Sequence, residues 1–296
     1  MRHAFYAETA ALLDDDPRTA LVLADISAAA LAGTLVAHPD RAVNVGIREQ
    51  LMISVAGGMA LTGLRPIAHS YATFLVERAW EQIKLDLTHQ GLGAVLVSVG
   101  ASYDASTAGR THHSPADVAL LDTLDGWTVQ VPGHPAEVGP MLRHAAGHDE
   151  SVYIRLSEAT NERPYETHGA LQPIRTGARG LVIAVGPMLA PLLAATDGLD
   201  VTVAYTNTPR PWDDDGTRQL ATAEFVAVVE PYLAGTSAHA VSHALRDRPH
   251  RLLSLGASRH DTHRYGTRED HDRANGLDPA SLRAAIVDGI RGFEGS

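Results

Sequence analysis

The chain contains no cysteine. That absence excludes disulfide cross-links, thiol nucleophiles and cysteine-ligated zinc, and it fits a cytoplasmic setting. Runs of basic residues are also missing: Lys and Arg number 24 against 35 Asp and Glu, a formal charge of −11. Affinity for nucleic acid comes largely from clustered Lys and Arg, so no nucleic-acid partner is expected. The longest apolar stretches are broken by Gly and polar residues well short of a bilayer span, so no membrane association is expected either. The amino end, Met1-Arg2-His3 followed by Ala4-Phe5-Tyr6-Ala7-Glu8, lacks the apolar core and small-residue cleavage site of an export signal. Neither a GxxxxGK[ST] phosphate loop nor a GxGxxG after a strand occurs, which removes the ordinary nucleoside triphosphate and dinucleotide signatures.

What is present suits a globular protein. The 296 residues are 45% hydrophobic, with 26 Gly and 16 Pro, enough for two ordinary domains. Helices are predicted over residues 4–13, 47–61, 71–87, 116–124 and 136–146, with apolar strands over 21–24, 94–99, 129–131 and 152–156. Apolar strands separated by helices indicate a layered α/β domain whose sheet is covered on both faces. The pattern then weakens between Ser157 and Arg179, where polar and turn-forming residues dominate. It resumes with strands over 181–186, 201–205, 225–230 and 251–255 and helices over 188–195 and 238–245. Two α/β domains follow, one over residues 1–168 and a smaller one over 169–296.

Candidate sites need sorting by chemistry. Asp14-Asp15-Asp16, just before Pro17, reads as a solvated helix end. Asp213-Asp214-Asp215-Gly216 lacks the rest of a calcium loop and reads as a surface turn. His112 and His113 are adjacent, so their rings should point different ways, and no acidic third ligand sits at a standard spacing; no metal ligand is assigned. A Gly-flanked loop after a long strand is nevertheless where an α/β protein presents chemistry, which makes His112 a candidate active-site residue. His260 and His263, in a polar loop, read as solvent-exposed rather than catalytic. The most informative stretch is Asn44-Val45-Gly46-Ile47-Arg48-Glu49-Gln50, which sets one carboxylate at the mouth of a helix. Glu49 there is either solvated or held against a heterocyclic cofactor that needs one proton managed.

Three segments in order carry a family resemblance: Asn44 to Gln50; Ser70-Tyr71-Ala72-Thr73-Phe74-Leu75 running into Arg78-Ala79-Trp80-Glu81-Gln82-Ile83; and Gly109-Arg110-Thr111-His112-His113-Ser114-Pro115. Together they resemble the pyrimidine-binding domain of the transketolase family, which includes deoxyxylulose-phosphate synthase. Residues from about 178 to 296 match the family's smaller carboxy-terminal α/β domain. The diphosphate-binding domain, with its Gly-Asp-Gly motif and metal-ligating Asp and Asn, has no counterpart, so the chain resembles the second half of a split transketolase.

The resemblance implies thiamine diphosphate and Mg²⁺, the metal held mainly by a diphosphate-binding partner subunit in an α2β2 heterotetramer. It assigns Glu49 to the pyrimidine ring nitrogen, where a carboxylate tunes the cofactor's own base. Phe74 would stack on the pyrimidine, and Arg78, one turn further, would orient the site or meet an anionic group. His112 would approach the substrate oxygen beside the reacting carbon. The implied reaction moves a two-carbon ketol unit from a ketose donor to an aldehyde acceptor.

The chain departs from sugar-phosphate transketolases at three places. Their acidic residue four positions before the histidine falls at Ala108, an additional histidine falls near Gly100, and an Arg that meets substrate phosphate falls at Glu158, with Arg155 nearby. Glu158 would repel a phosphate, so an unphosphorylated or specially decorated ketose is expected. Two alternatives stand beside this reading: the beta component of a 2-oxoacid dehydrogenase, and a noncatalytic scaffold subunit of the same fold.

Overall fold

Short apolar strands buried on both sides set the first layer of the computed structural model, which describes residues 1–167, 169–261, 263 and 265–292. These strands are β1 (Thr19–Leu23), β2 (Ala42–Asn44), β3 (Arg65–Tyr71), β4 (Val95–Val99), β5 (Trp127–Gln130) and β6 (Ser151–Arg155). They form one sheet in the order β2-β1-β3-β4-β6-β5 with every pair parallel. Strand alternation divides the core. Leu21, Leu23, Ile67, Val95 and Val97 pack with Phe5, Leu13, Val138 and Leu142 of helices Arg2–Asp15 and Pro135–Ala146. Val22, Ala68 and Leu96 pack with Met52, Ile53, Leu75 and Ile83 on the opposite face.

The direction of winding reverses between β1 and β3. In an open parallel sheet that reversal leaves a crevice at the carboxyl ends of the strands, where loops diverge and ligands bind. The segments carrying Glu49, Phe74 and His112 all leave the sheet from this end, after β2, β3 and β4 respectively.

A second sheet comprises β7 (Gln172–Arg175), β8 (Leu181–Val185), β9 (Thr202–Thr206), β10 (Phe225–Leu233) and β11 (Arg251–Ala257), in the order β11-β10-β8-β9-β7. Only β7 runs antiparallel to its neighbour. Val182, Ala184, Val203 and Ala227 pack on one side with Leu192, Leu282 and Ile286 from helices Leu189–Ala195 and Pro279–Arg291. Leu181, Ile183 and Val226 share a continuous apolar cluster with the first sheet's helices.

Polar contacts fasten the two units. The Tyr205 hydroxyl and the Asn207 amide both donate to Glu137, each at 3.0 Å. Arg210 clamps Asp122, with its second nitrogen 2.8 Å from Oδ2. The Tyr103 hydroxyl donates to Asp272 at 2.7 Å, and Arg268 pairs with the buried Asp104.

Several local expectations are corrected. The continuous helix predicted over 71–87 does not form: Tyr71 ends β3, and wide π-type turns over Thr73–Arg78 and Ile83–His89 flank a short helix, with a break at Ala79. Such wide turns rotate side chains out of the regular helical stripe. Asp213, expected in a surface turn, caps helix Asp214–Leu220 by accepting from the Gly216 amide, so the acidic run complements a helix start. The weak stretch before residue 179 contains β7, whose polar side chains hid it from apolar patterning. Arg155, noted in the sequence as the arginine near position 158, is fully buried and gives its Nε–H to Asp117 at 2.7 Å.

Candidate active site

The loop before Glu49 is fixed by Asn44. Its side-chain oxygen accepts from the amides of Gly46 at 3.1 Å and Asp25 at 2.9 Å, tying the ends of β2 and β1 together. Gly46 takes a φ of +73°, a conformation that costs a side-chain-bearing residue energy. Arg48 then ends the extended segment and helix Glu49–Leu61 begins, placing the carboxylate of Glu49 in the first turn. An acid is favoured at that end of a helix.

Glu49 is 1% exposed although it opens a helix. Its Oε1 accepts from the Ser70 hydroxyl at 3.2 Å, and its Oε2 accepts from the Arg78 guanidinium at 2.7 Å. Each carboxylate oxygen can accept more than one hydrogen bond, so a further donor can be received. The guanidinium carbon of Arg78 also lies 4.0 Å from the centre of the Phe74 ring, a cation–π contact. Arg78 therefore links the carboxylate to the aromatic ring. The wide helical turn over Thr73–Arg78 supplies both residues.

His112 joins from the loop after β4. That loop forms a tight 3₁₀ segment over Ser106–His112, kinked at Gly109, where φ is +71° and an added Cβ would strike the Tyr265 ring. The imidazole packs edge-on against Phe74 at 5.1 Å and against Tyr71 at 5.5 Å. Its Nδ1 is held 3.0 Å from the Thr111 hydroxyl, which leaves Nε2 as the edge available to a ligand. The four residues singled out from sequence thus form one chain of contacts, from Glu49 through Arg78 and Phe74 to His112. As the sequence implied, the two adjacent histidines diverge: His113 packs against His271 instead.

Tyr71 belongs to this cluster, in ring contact with Phe74 and His112, and was not singled out. A Cβ at Gly100 would lie 2.2 Å from the Tyr71 ring, so the tyrosine occupies the space where a side chain at position 100 would project. Beyond it lies a cavity of about 160 Å³ bordered by Arg2, Tyr71, Gly100, Asp104 and Glu158. Burial pushes the Asp104 carboxyl above its usual pKa, opposed by the neighbouring Arg268. Glu158 is exposed and its amide donates to Asp104 at 3.0 Å, while Ala108 is exposed. His260 and His263 are exposed, in agreement with their sequence reading.

A second missed group stabilises the neighbouring loop. His69 on β3 is fully buried, its Nδ1 2.8 Å from the Val97 carbonyl and its Nε2 2.9 Å from the Ser27 hydroxyl. Burial lowers its pKa to about 3, so the ring is neutral; Nδ1 donates to the carbonyl and Nε2 accepts from Ser27. The Ser27 oxygen also receives hydrogen bonds from Tyr6 at 2.8 Å and Arg2 at 3.1 Å. This network holds Arg2 at the cavity edge. Its members lie far apart in sequence, beyond the reach of local patterning.

Comparison with known proteins gives a consistent picture. The family model described as "Transketolase, pyrimidine binding domain" matches residues 1–162. The chain is 50% identical over 289 residues to an uncharacterized 33.6 kDa protein in the fasciation locus of Rhodococcoides fascians, covering 96% of this chain and 92% of that one. It is 30% identical over 208 residues to the 6-deoxy-6-sulfo-D-fructose transketolase subunit SqwH of Clostridium sp. (strain MSTE9), covering 64% and 65% respectively. Among solved structures, a split-gene transketolase described as an inactive β4 tetramer superposes with a TM-score of 0.83 at 23% identity, covering 98% of this chain and 97% of the other.

Proposed function

The chain belongs to the transketolase family, and on that premise we propose that it is the pyrimidine-binding subunit of a split, thiamine-diphosphate-dependent transketolase. The observation that carries this reading is the buried Glu49 carboxylate, joined through Arg78 to an aromatic cluster of Phe74, Tyr71 and His112. That donor and acceptor set fits an aminopyrimidine: a carboxylate for a ring nitrogen, a flat apolar face beside it, and an imidazole at the rim.

When bound, thiamine diphosphate supplies the carbon nucleophile and electron sink for breaking a ketose next to its carbonyl. Glu49 manages a proton at the pyrimidine nitrogen, and its burial keeps water from competing for that contact. Phe74 orients the ring. Arg78 presently covers one face of Phe74, so stacking there requires the guanidinium to shift while it keeps Glu49 in place. His112 offers Nε2 to the substrate oxygen on which negative charge develops.

The partner is a diphosphate-binding subunit that holds most of the Mg²⁺ ligands, in an α2β2 assembly in the cytoplasm. Supporting this, Ile47, just before the helix, and Leu51, in its first turn, are 72% and 44% exposed, an apolar pair flanking Glu49 in sequence. Residues 1–168 would contribute the cofactor contacts and 169–296 would form the second domain. The cavity beyond Tyr71 sets Arg2 beside Asp104 and Glu158. That mixed lining suits an unphosphorylated or specially decorated ketose better than a phosphate dianion; one relative is named for a sulfonated ketose.

Reconstitution with a diphosphate-binding transketolase subunit, thiamine diphosphate and Mg²⁺ tests the proposal. Ketol transfer should require both subunits and proceed without lipoamide or an electron acceptor. Oxidative decarboxylation of a 2-oxoacid in its place would overturn it, and a clear preference for phosphorylated ketoses would overturn the substrate assignment.

A further inference from the structure

Two segments have to hold their side chains in register at this site. The wide turn over Thr73–Arg78 carries Phe74 and Arg78, and the loop after β4 carries His112. Phe74 and His112 meet edge-on with ring centres 5.1 Å apart, a weak and loosely directional contact. A directional bond between the two segments comes from a different side chain.

Glu77 lies between Phe74 and Arg78 on the turn. Its Oε1 accepts from the Ser114 hydroxyl at 2.9 Å, and its Oε2 accepts from the Thr73 hydroxyl at 3.5 Å. Consecutive residues of the turn thus reach different elements: Glu77 the end of the His112 loop, Arg78 the Glu49 carboxylate. Ser114 is a firm anchor. It is fully buried, its amide donates to the Ser102 carbonyl at 2.8 Å, and the two serines pair as an antiparallel bridge that closes the loop. Beside it, the Pro115 carbonyl accepts from the Leu233 amide at 2.7 Å. Within the loop, Arg110 donates to the His113 carbonyl at 3.0 Å, which braces the segment between His112 and Ser114.

Space filling alone does not account for a carboxyl here. Burial pushes Glu77 above the ordinary glutamate range, opposed first by the hydrogen bond from Ser114 and next by the charge of Arg110. An apolar side chain would occupy this half-buried position without that cost, whereas an oxygen acceptor ties the turn to the loop.

We propose that Glu77 is a positioning residue: by accepting from Ser114 it sets the spacing between Phe74 and His112, and with it the place from which the imidazole meets the substrate oxygen. The use of this spacing in catalysis rests on the transketolase reading above; the spacing itself belongs to the free chain.

Nuclear magnetic resonance of the free chain with isotope-labelled histidine reads the spacing without cofactor or partner. The His112 ring lies against Phe74 and Tyr71, so its signals should carry a ring-current shift, assigned by their loss in His112→Ala. Glu77→Ala and Ser114→Ala break the same bond from either side and should each move those signals toward the values of an exposed histidine. Glu77→Gln keeps an acceptor for Ser114 and should hold them in place. In the reconstituted complex the two alanine substitutions should each lower kcat about 10- to 100-fold while changing the KM for the ketose less than about threefold, and Glu77→Gln should recover most of that loss. In a His112→Ala background, Glu77→Ala should cost almost nothing further. His112 signals unmoved by both alanine substitutions in folded chains, or kcat losses that add in the double variant, would overturn the proposal. Failure of the wild-type complex to transfer a ketol would overturn the transketolase reading alone, because the histidine signals decide the spacing independently.

Discussion

Replacing Arg78 by Ala probes what holds the site before any cofactor arrives. The guanidinium lies 2.7 Å from Oε2 of Glu49 and 4.0 Å from the Phe74 ring centre, and its loss leaves a carboxylate that is 1% exposed with only the Ser70 hydroxyl at 3.2 Å. Breaking a fully buried pair costs about 3–5 kcal/mol, but the Arg78 side chain is 38% exposed, and solvent screening reduces the expected loss to about 1–3 kcal/mol. At about 2 kcal/mol the melting temperature falls by roughly 3 °C. Thermal unfolding of Arg78→Ala, Glu49→Gln and the double variant forms a cycle whose coupling should be about 1–2 kcal/mol. Arg78→Lys should recover part of the loss, because it restores charge without the planar fork. A destabilisation within about 0.5 kcal/mol, the range of ordinary surface changes, with no measurable coupling, would refute the view that Arg78 secures the carboxylate.

Two further outcomes are accessible. His112→Ala should lower ketol transfer by about 100-fold while changing cofactor affinity little, measured by kinetics and calorimetry on the reconstituted complex; equal losses in both would assign it a structural role. Burial raises the Glu230 carboxyl to about 7, against which the Ser237 and Gly235 amides donate to it. The folded state therefore keeps its proton where the unfolded state releases it. The contribution of this group is fully present below about pH 4.5 and is lost as pH rises through about 7. Relative to the wild type, Glu230→Gln should gain on the order of 3 kcal/mol between pH 4.5 and 8. Parallel stability curves for the two proteins over that interval would contradict the burial argument.

The strands were legible because β8 is an uninterrupted apolar run and β4 is broken only by Ser98, and the candidate site was legible because short motifs kept Glu49, Phe74, Arg78 and His112 in recognisable company. Their mutual contacts were not. Arg78 bridging Glu49 and Phe74 depends on the wide turn over Thr73–Arg78, which regular helical spacing does not anticipate. The buried networks were beyond local reading: Ser27 meets His69, Tyr103 meets Asp272, and Arg155 meets Asp117, each through tertiary packing. Other misses had signals. Asp213 ahead of an acidic first turn, and Asp278-Pro279 ahead of an amphipathic run, are helix-start chemistry, and the structure places helices there.

The most direct test of the central claim is deuterium exchange at the thiazolium C2 position of thiamine diphosphate in the reconstituted complex, comparing wild type with Glu49→Gln. The substitution removes the carboxylate charge and preserves shape and an acceptor for Ser70, so fold and assembly should persist. If Glu49 activates the cofactor through its pyrimidine, exchange should slow by about 100-fold or more. Exchange within about threefold of the wild-type rate, in a complex that still binds the cofactor, would contradict that role.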